Sequence, residues 1–206
     1  MNKRQLEKKV SNFKRRMQLQ RNQQRRNREV YVGRARYITI FALQIAAVIA
    51  VAFVLVYSFF TGYTCRGQSM EPYVADSTRV LVNRAAYLIQ GPEVNDVIVF
   101  LPRESINGKP NFKRVVAVPG DTVLISGGRL YVNGERYADK AKVESMDYSG
   151  RAETEITLGE DEYFVLGDNR NNSEDSRYET IGNVTRSEII GRAWFCVTWS
   201  NFGLIE

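Results

Sequence analysis

FKRVVAVPGDTVLI (residues 112–125) decides the architecture of this chain. Two short runs rich in β-branched residues are separated by Pro119, Gly120 and Asp121, which reads as two strands joined by a tight turn. Similar runs recur on both sides: TRVLVN (78–83), DVIVFL (96–101), EYFVLGD (162–168) and RAWFCVTW (192–199). RLYVNGERY (129–137) places Asn133-Gly134 between strand-like flanks, the strongest short signature of a β-hairpin. No strand–helix alternation and no internal repeat accompanies these runs. The predicted class is therefore mainly β, with antiparallel strands in a partly closed barrel or two packed sheets. Residues 138–160, rich in Asp, Glu, Lys and Ser, read as an exposed loop.

Upstream the pattern changes. YITIFALQIAAVIAVAFVLVYSFF (37–60) carries no charge, and about 20 apolar residues at 1.5 Å rise are enough to cross the hydrocarbon core. It is too long for the apolar region of a cleavable signal peptide, and 36 residues precede it. Tyr37, Tyr57, Phe59, Phe60 and Tyr63 would mark the membrane interfaces. Residues 1–36 hold 13 Lys/Arg against Glu7 and Glu29, whereas 37–206 hold 16 against 21 acidic residues. Basic charge confined to a tail beside an apolar run argues for membrane orientation rather than nucleic-acid binding. The expected order is a basic cytoplasmic tail (1–36), a transmembrane helix (37–60) and an extracytoplasmic domain (61–206), single-pass in the cell membrane. Leu6, Val10, Phe13 and Met17 would share one face of a tail helix; the same residues fit a solvated basic segment equally well.

The chain contains no histidine. That removes Ser-His-Asp, Cys-His and histidine-metal hydrolytic sites together, and with Cys65 and Cys196 outside any C-x-x-C pair no metal site and no cofactor is expected. The two cysteines fit either one disulfide or two separate buried thiols. A serine nucleophile in such a chain needs another base. Lysine serves only where burial lowers its pKa, because an unperturbed lysine is neutral in about 0.04% of molecules at pH 7. Lys113 sits among Val and Ala residues, and strand alternation sends it and Arg114 to opposite faces. By itself a Lys-Arg pair in a strand reads more simply as an exposed edge.

Four separated segments change that reading: GQSMEP (67–72), NDVIVFLP (95–102), KRVVAVPGD (113–121) and GDNRNNSEDSR (167–177). In this order, behind an N-terminal anchor, they resemble the boxes of the type I signal peptidases, serine proteases with a Ser-Lys dyad. The resemblance implies Ser69 as nucleophile, Lys113 as general base and Met70 packed beside the site against substrate. It implies that Ser173 orients the lysine by a hydrogen bond. It further implies Asp175 with Arg177, and Asp168 with Arg114, as supporting ion pairs. Two positions depart from the commonest pattern. Tyr73 stands where Thr usually follows the proline, which leaves the local packing open. Gly67 stands where some members have a serine that helps stabilise the oxyanion, so the backbone N–H of Ser69 becomes the main expected donor.

The same resemblance implies exported preproteins as substrates, cut after a small-x-small motif, with the cleavage segment bound as an added strand and membrane lipid around the anchor. Two alternatives have other consequences. A catalytically silent or dedicated signal-peptidase-like assembly factor would not need both Ser69 and Lys113. A self-cleaving Ser-Lys protease of the repressor type would carry a DNA-binding domain in place of residues 1–60.

Overall fold

The computed structural model describes residues 3–103, 108–139, 143–198 and 201–205. They form two compact units, Met1–Leu55 and Val56–Glu206. The first belongs to a single helix, α1 (Lys3–Phe59). Its N-terminal part is rich in Lys, Arg and Gln, which are good helix formers, so helix begins well before the apolar run at 37. Within it, Arg36–Val54 is long and apolar enough to cross a membrane, and none of that stretch is buried. Of the four apolar tail residues only the side chain of Met17 is described, and it is exposed; those of Leu6, Val10 and Phe13 lie outside the described set.

The helix ends one residue earlier than the uncharged run. Phe60 opens β1 (Phe60–Thr64), which pairs with β2 (Arg79–Asn83). The ring of Phe60 lies 5.4 Å from that of Trp194, and Tyr63 packs on the core, so these two aromatics belong to the β unit. The chain continues through β3 (Val97–Phe100), β4 (Asn111–Ala117), β5 (Thr122–Ser126), β6 (Arg129–Val132) and β7 (Glu135–Arg136). It closes with β8 (Ile156–Thr157), β9 (Glu162–Leu166), β10 (Val184–Thr185), β11 (Ile189–Thr198) and β12 (Asn201–Leu204). Every pairing is antiparallel.

The strands make two sheets. The larger runs β1-β2-β11-β3-β4-β9-β10 with β12 on β11, and the smaller runs β7-β6-β5-β8. β3 is buried at all four positions, Val97 and Val99 joining one core cluster and Ile98 and Phe100 another. A strand covered on both faces explains why DVIVFL is continuously apolar instead of alternating. A third cluster fills the space around the smaller sheet, from Val123, Ile125 and Leu130 to Phe164 and Leu166. The predicted hairpin is present: Asn133 and Gly134, at φ +52° and +77°, join β6 to β7 as a two-residue loop of the type that matches strand twist.

Residues 138–160 are not simply an exposed loop. Met146, Ala152 and Leu158 are buried in the third cluster, and Ile156–Thr157 pairs with β5. The polar residues between them hid three core positions. Residues 140–142 and Trp199 lie outside the described set. Cys65, just beyond β1, and Cys196, in β11, are both buried free thiols.

Candidate active site

Ser69 lies on the turn that follows β1, and Lys113 is the third residue of β4. Although 44 positions apart, their side chains meet: Nζ of Lys113 is 2.8 Å from Oγ of Ser69. Lys113 is 4% exposed, and that burial lowers its pKa below the ordinary lysine value. Asp175, Cys65, Glu174 and Asp168 pull the other way and do not overcome the desolvation. The apolar wall includes Cys65, whose thiol is itself pushed up to about 11, chiefly by burial. A lysine lowered in this way has a larger neutral fraction near neutral pH, and the neutral amine is the form able to accept a hydroxyl proton.

The turn carrying Ser69 is held from several directions. Met70 is fully buried in the core, and its carbonyl accepts the Val74 N–H at 2.9 Å. The Ser69 carbonyl accepts the Asn169 N–H at 3.0 Å, and Asn172 Nδ2 donates to Gln68 Oε1 at 3.0 Å. Gly67 donates its N–H to Asp76 Oδ1 at 2.6 Å. Among the described residues the Ser69 N–H has no internal acceptor.

The segment 167–177 packs directly behind this turn. A Cβ on Gly167 would fall 2.6 Å from the Ser69 carbonyl oxygen and closer still to Ser173 Oγ. Only glycine allows that approach, which gives the Gly-Asp pair a packing reason that a turn alone does not supply. Arg114 and Asp168 form a bidentate pair at 2.7 and 2.9 Å. Arg177 and Asp175 form another at 2.8 and 2.9 Å. Asp175 Oδ2 also accepts the Gly167 N–H at 3.1 Å, and Arg177 donates to the Tyr148 carbonyl at 2.9 Å. All four charged residues are nearly fully buried.

The expected bond between Ser173 and Lys113 is not formed. Among the described residues Ser173 Oγ is buried without a hydrogen-bond partner, while Lys113 Nζ engages Ser69 and the Ser173 side chain packs against Gly167. Tyr73, the departure from the commoner Thr, lies under the Arg114 guanidinium, 5.5 Å from ring centroid to Cζ. That is a cation–π contact on the ion pair with Asp168. Sequence reasoning assigned nothing to Asn169, Asn172 or Asp76. The two asparagines stood inside a quoted box, and Asp76 carried no mark of its role.

A cleft of about 270 Å³ adjoins the turn, lined by Glu71, Pro72, Val143, Glu144 and residues 168–171. A larger cavity of about 600 Å³, bounded by Arg129, Tyr137, Asp139 and Met146, includes neither Ser69 nor Lys113 in its lining. No group of His, Cys, Asp and Glu among the described residues is arranged to hold a metal ion.

Removing Asp175 would leave the Arg177 guanidinium buried without its counter-charge. Asp175→Ala is expected to lower unfolding free energy by about 3–5 kcal/mol in denaturant melts. The double variant Asp175→Leu/Arg177→Met is expected to lose clearly less, because it leaves no orphan charge. Equal losses in the two would mean that the pair is not what the single substitution disrupts.

A family model for signal peptidases, peptidase S26, matches residues 38–199. The chain is 36% identical over 133 residues to a probable signal peptidase I-2 of a Synechocystis species, covering 61% of this chain and 57% of that protein. It is 33% identical over 161 residues to signal peptidase I U of Bacillus subtilis, covering 74% and 83%. A solved signal peptidase I from Enterococcus faecalis is 30% identical over 50% of this chain and 97% of that one, with a TM-score of 0.39. The match across 38–199, together with the 33% identity over most of the chain, makes this protein a member of the signal peptidase family, peptidase S26.

Proposed function

We propose that this chain is a membrane-bound serine endopeptidase that removes N-terminal signal peptides from exported preproteins. The single observation that carries the reading is the 2.8 Å contact between Ser69 Oγ and a lysine buried enough to be drawn towards neutrality. As Ser69 Oγ attacks the scissile carbonyl carbon, the neutral amine of Lys113 takes the hydroxyl proton. The Ser69 N–H donates to the oxygen that becomes negative. Collapse of the tetrahedral adduct breaks the C–N bond, and the Lys113 ammonium gives its proton to the departing amine of the mature protein. The acyl-enzyme on Ser69 is then hydrolysed by water, with Lys113 again as base.

The positions of Asp168, Arg114, Asp175, Arg177 and Ser173 fit a supporting role. They fix the 167–177 segment against the Ser69 turn and do not touch the reacting atoms. Met70, next to the nucleophile, is fully buried in the core and lines neither cleft, so its part is to hold the Ser69 turn rather than to meet substrate. The charge distribution supports a tail on the cytoplasmic side, the apolar stretch of α1 in the cell membrane and residues 61–206 on the outer side. Substrate and enzyme then share one membrane plane, which raises their effective concentration.

Incubation of the full-length protein in detergent micelles with a preprotein ending its signal peptide in A-x-A is expected to yield one new N-terminus, directly after the second small residue. Replacing that residue with a large one is expected to stop cleavage. A cut elsewhere in the preprotein, or none, would count against the proposal.

A further inference from the structure

β1 and β2 pair in register from Phe60 opposite Asn83 to Thr64 opposite Arg79. Continued by one residue, the same register sets Cys65 opposite Thr78, and the Cys65 N–H donates to the Thr78 carbonyl at 2.8 Å. Two residues further it sets Gly67 opposite Asp76, where the next main-chain bond of an antiparallel ladder is due. There the ladder breaks. Gly67 takes φ +87° and Ser77 takes φ +60°, both in the left-handed region. In place of a main-chain carbonyl, the Asp76 carboxylate accepts the Gly67 N–H, at 2.6 Å.

We propose that Asp76 is a positioning residue for the nucleophile, its side chain replacing the missing ladder carbonyl and fixing the chain at Gly67, beyond the end of β1 and two residues before Ser69. This rests on the reading of Ser69 as nucleophile. The turn is thereby held on both sides of Ser69: by Asp76 through Gly67 and by Asn169 through the Ser69 carbonyl. With Gly67 tied, the Ser69 N–H stands at a defined place and has no internal acceptor among the described residues, as an oxyanion donor requires. A charge-assisted bond suits the task because it is short and directional. The Gly67 N–H in turn holds the Asp76 carboxyl below the usual carboxylate range, so the bond persists through the neutral range.

The role makes a demand that a mere strand terminator would not. A nucleophile displaced by about 1 Å loses on the order of a hundredfold in rate, with little change in substrate binding. Full-length wild type, Asp76→Ala, Asp76→Asn and Ser69→Ala are compared on the A-x-A preprotein, with kcat, KM and melting temperature measured for each. Asp76→Ala is expected to lower kcat by about tenfold to a hundredfold, with KM within about threefold and an unchanged melting temperature. Asp76→Asn keeps an oxygen acceptor and is expected to retain kcat within about threefold of wild type. Two results would overturn the inference: kcat of Asp76→Ala within twofold of wild type, or a loss that Asn fails to rescue. If Ser69→Ala itself cleaves, the reading of Ser69 fails first; a dead Ser69→Ala beside a fully active Asp76→Ala removes Asp76 alone.

Discussion

Ser69→Ala is expected to abolish cleavage, by on the order of a millionfold, since the covalent route has no other hydroxyl to follow. The neighbouring Ser173 offers no substitute: its Oγ is buried beside Gly167 and has no partner among the described residues that activates it. The fold should survive. Ser69 is only half-buried, and what the substitution removes is one contact, with Lys113 Nζ, leaving a buried amine without its oxygen. A loss of this kind costs about 1–3 kcal/mol. Circular dichroism of the variant should therefore match that of wild type, and denaturant melts should show a loss no larger than this, while product formation is undetectable. Cleavage within tenfold of wild type would place the nucleophile elsewhere.

The parts of this molecule that were legible in the sequence are those in which local pattern and tertiary fate agree. FKRVVAV, DTVLI and DVIVFL became β4, β5 and β3 within one or two residues, because β-branched runs bounded by turn residues have few other outcomes. Asn133-Gly134 specified its own hairpin. What was illegible depends on partners distant in the chain. β1 and β12 are short and unremarkable in composition, and exist because β2 and β11 offer them edges. Met146 and Ala152 are core residues in a polar stretch, made so by the sheet they happen to cover.

The same division runs through the site. Composition narrowed the chemistry, since a chain without histidine leaves few bases for a serine. Yet Lys113 beside Arg114 reads locally as an exposed strand edge, and only the resemblance across four boxes pointed to Ser69, 44 residues upstream. The Asp76–Gly67 contact was out of reach altogether. It requires knowing that β1 and β2 pair in one register and that the ladder fails at a particular residue, neither of which is written in the Asp76 neighbourhood itself.

Lys113→Met separates a buried base from an exposed cation, because the two make opposite demands on stability. Methionine keeps the length and apolar stem of lysine and removes the ionisable group. Activity is expected to fall by at least about a hundredfold to ten-thousandfold, the usual contribution of a general base. Stability should move the other way or not at all. Burial lowers the pKa of Lys113 in the folded protein from its unfolded value of 10.5, so the unfolded chain binds the proton more tightly. Wild-type stability attributable to this group therefore rises with pH between the lowered folded value and 10.5. Above that window the desolvation penalty is absent, and below it the penalty is complete. Lys113→Met carries no such penalty, so it should be at least as stable as wild type at pH 7, with the difference shrinking as pH approaches 10.5. Wild-type activity should rise with pH through the folded value of Lys113, since only the neutral amine accepts the Ser69 proton. Paired denaturant melts at pH 7 and pH 10, with cleavage rates measured across the same range, test both halves at once. A Lys113→Met enzyme that still cleaves at a substantial rate, or a wild-type rate flat from pH 6 to 10, would end the case for the dyad.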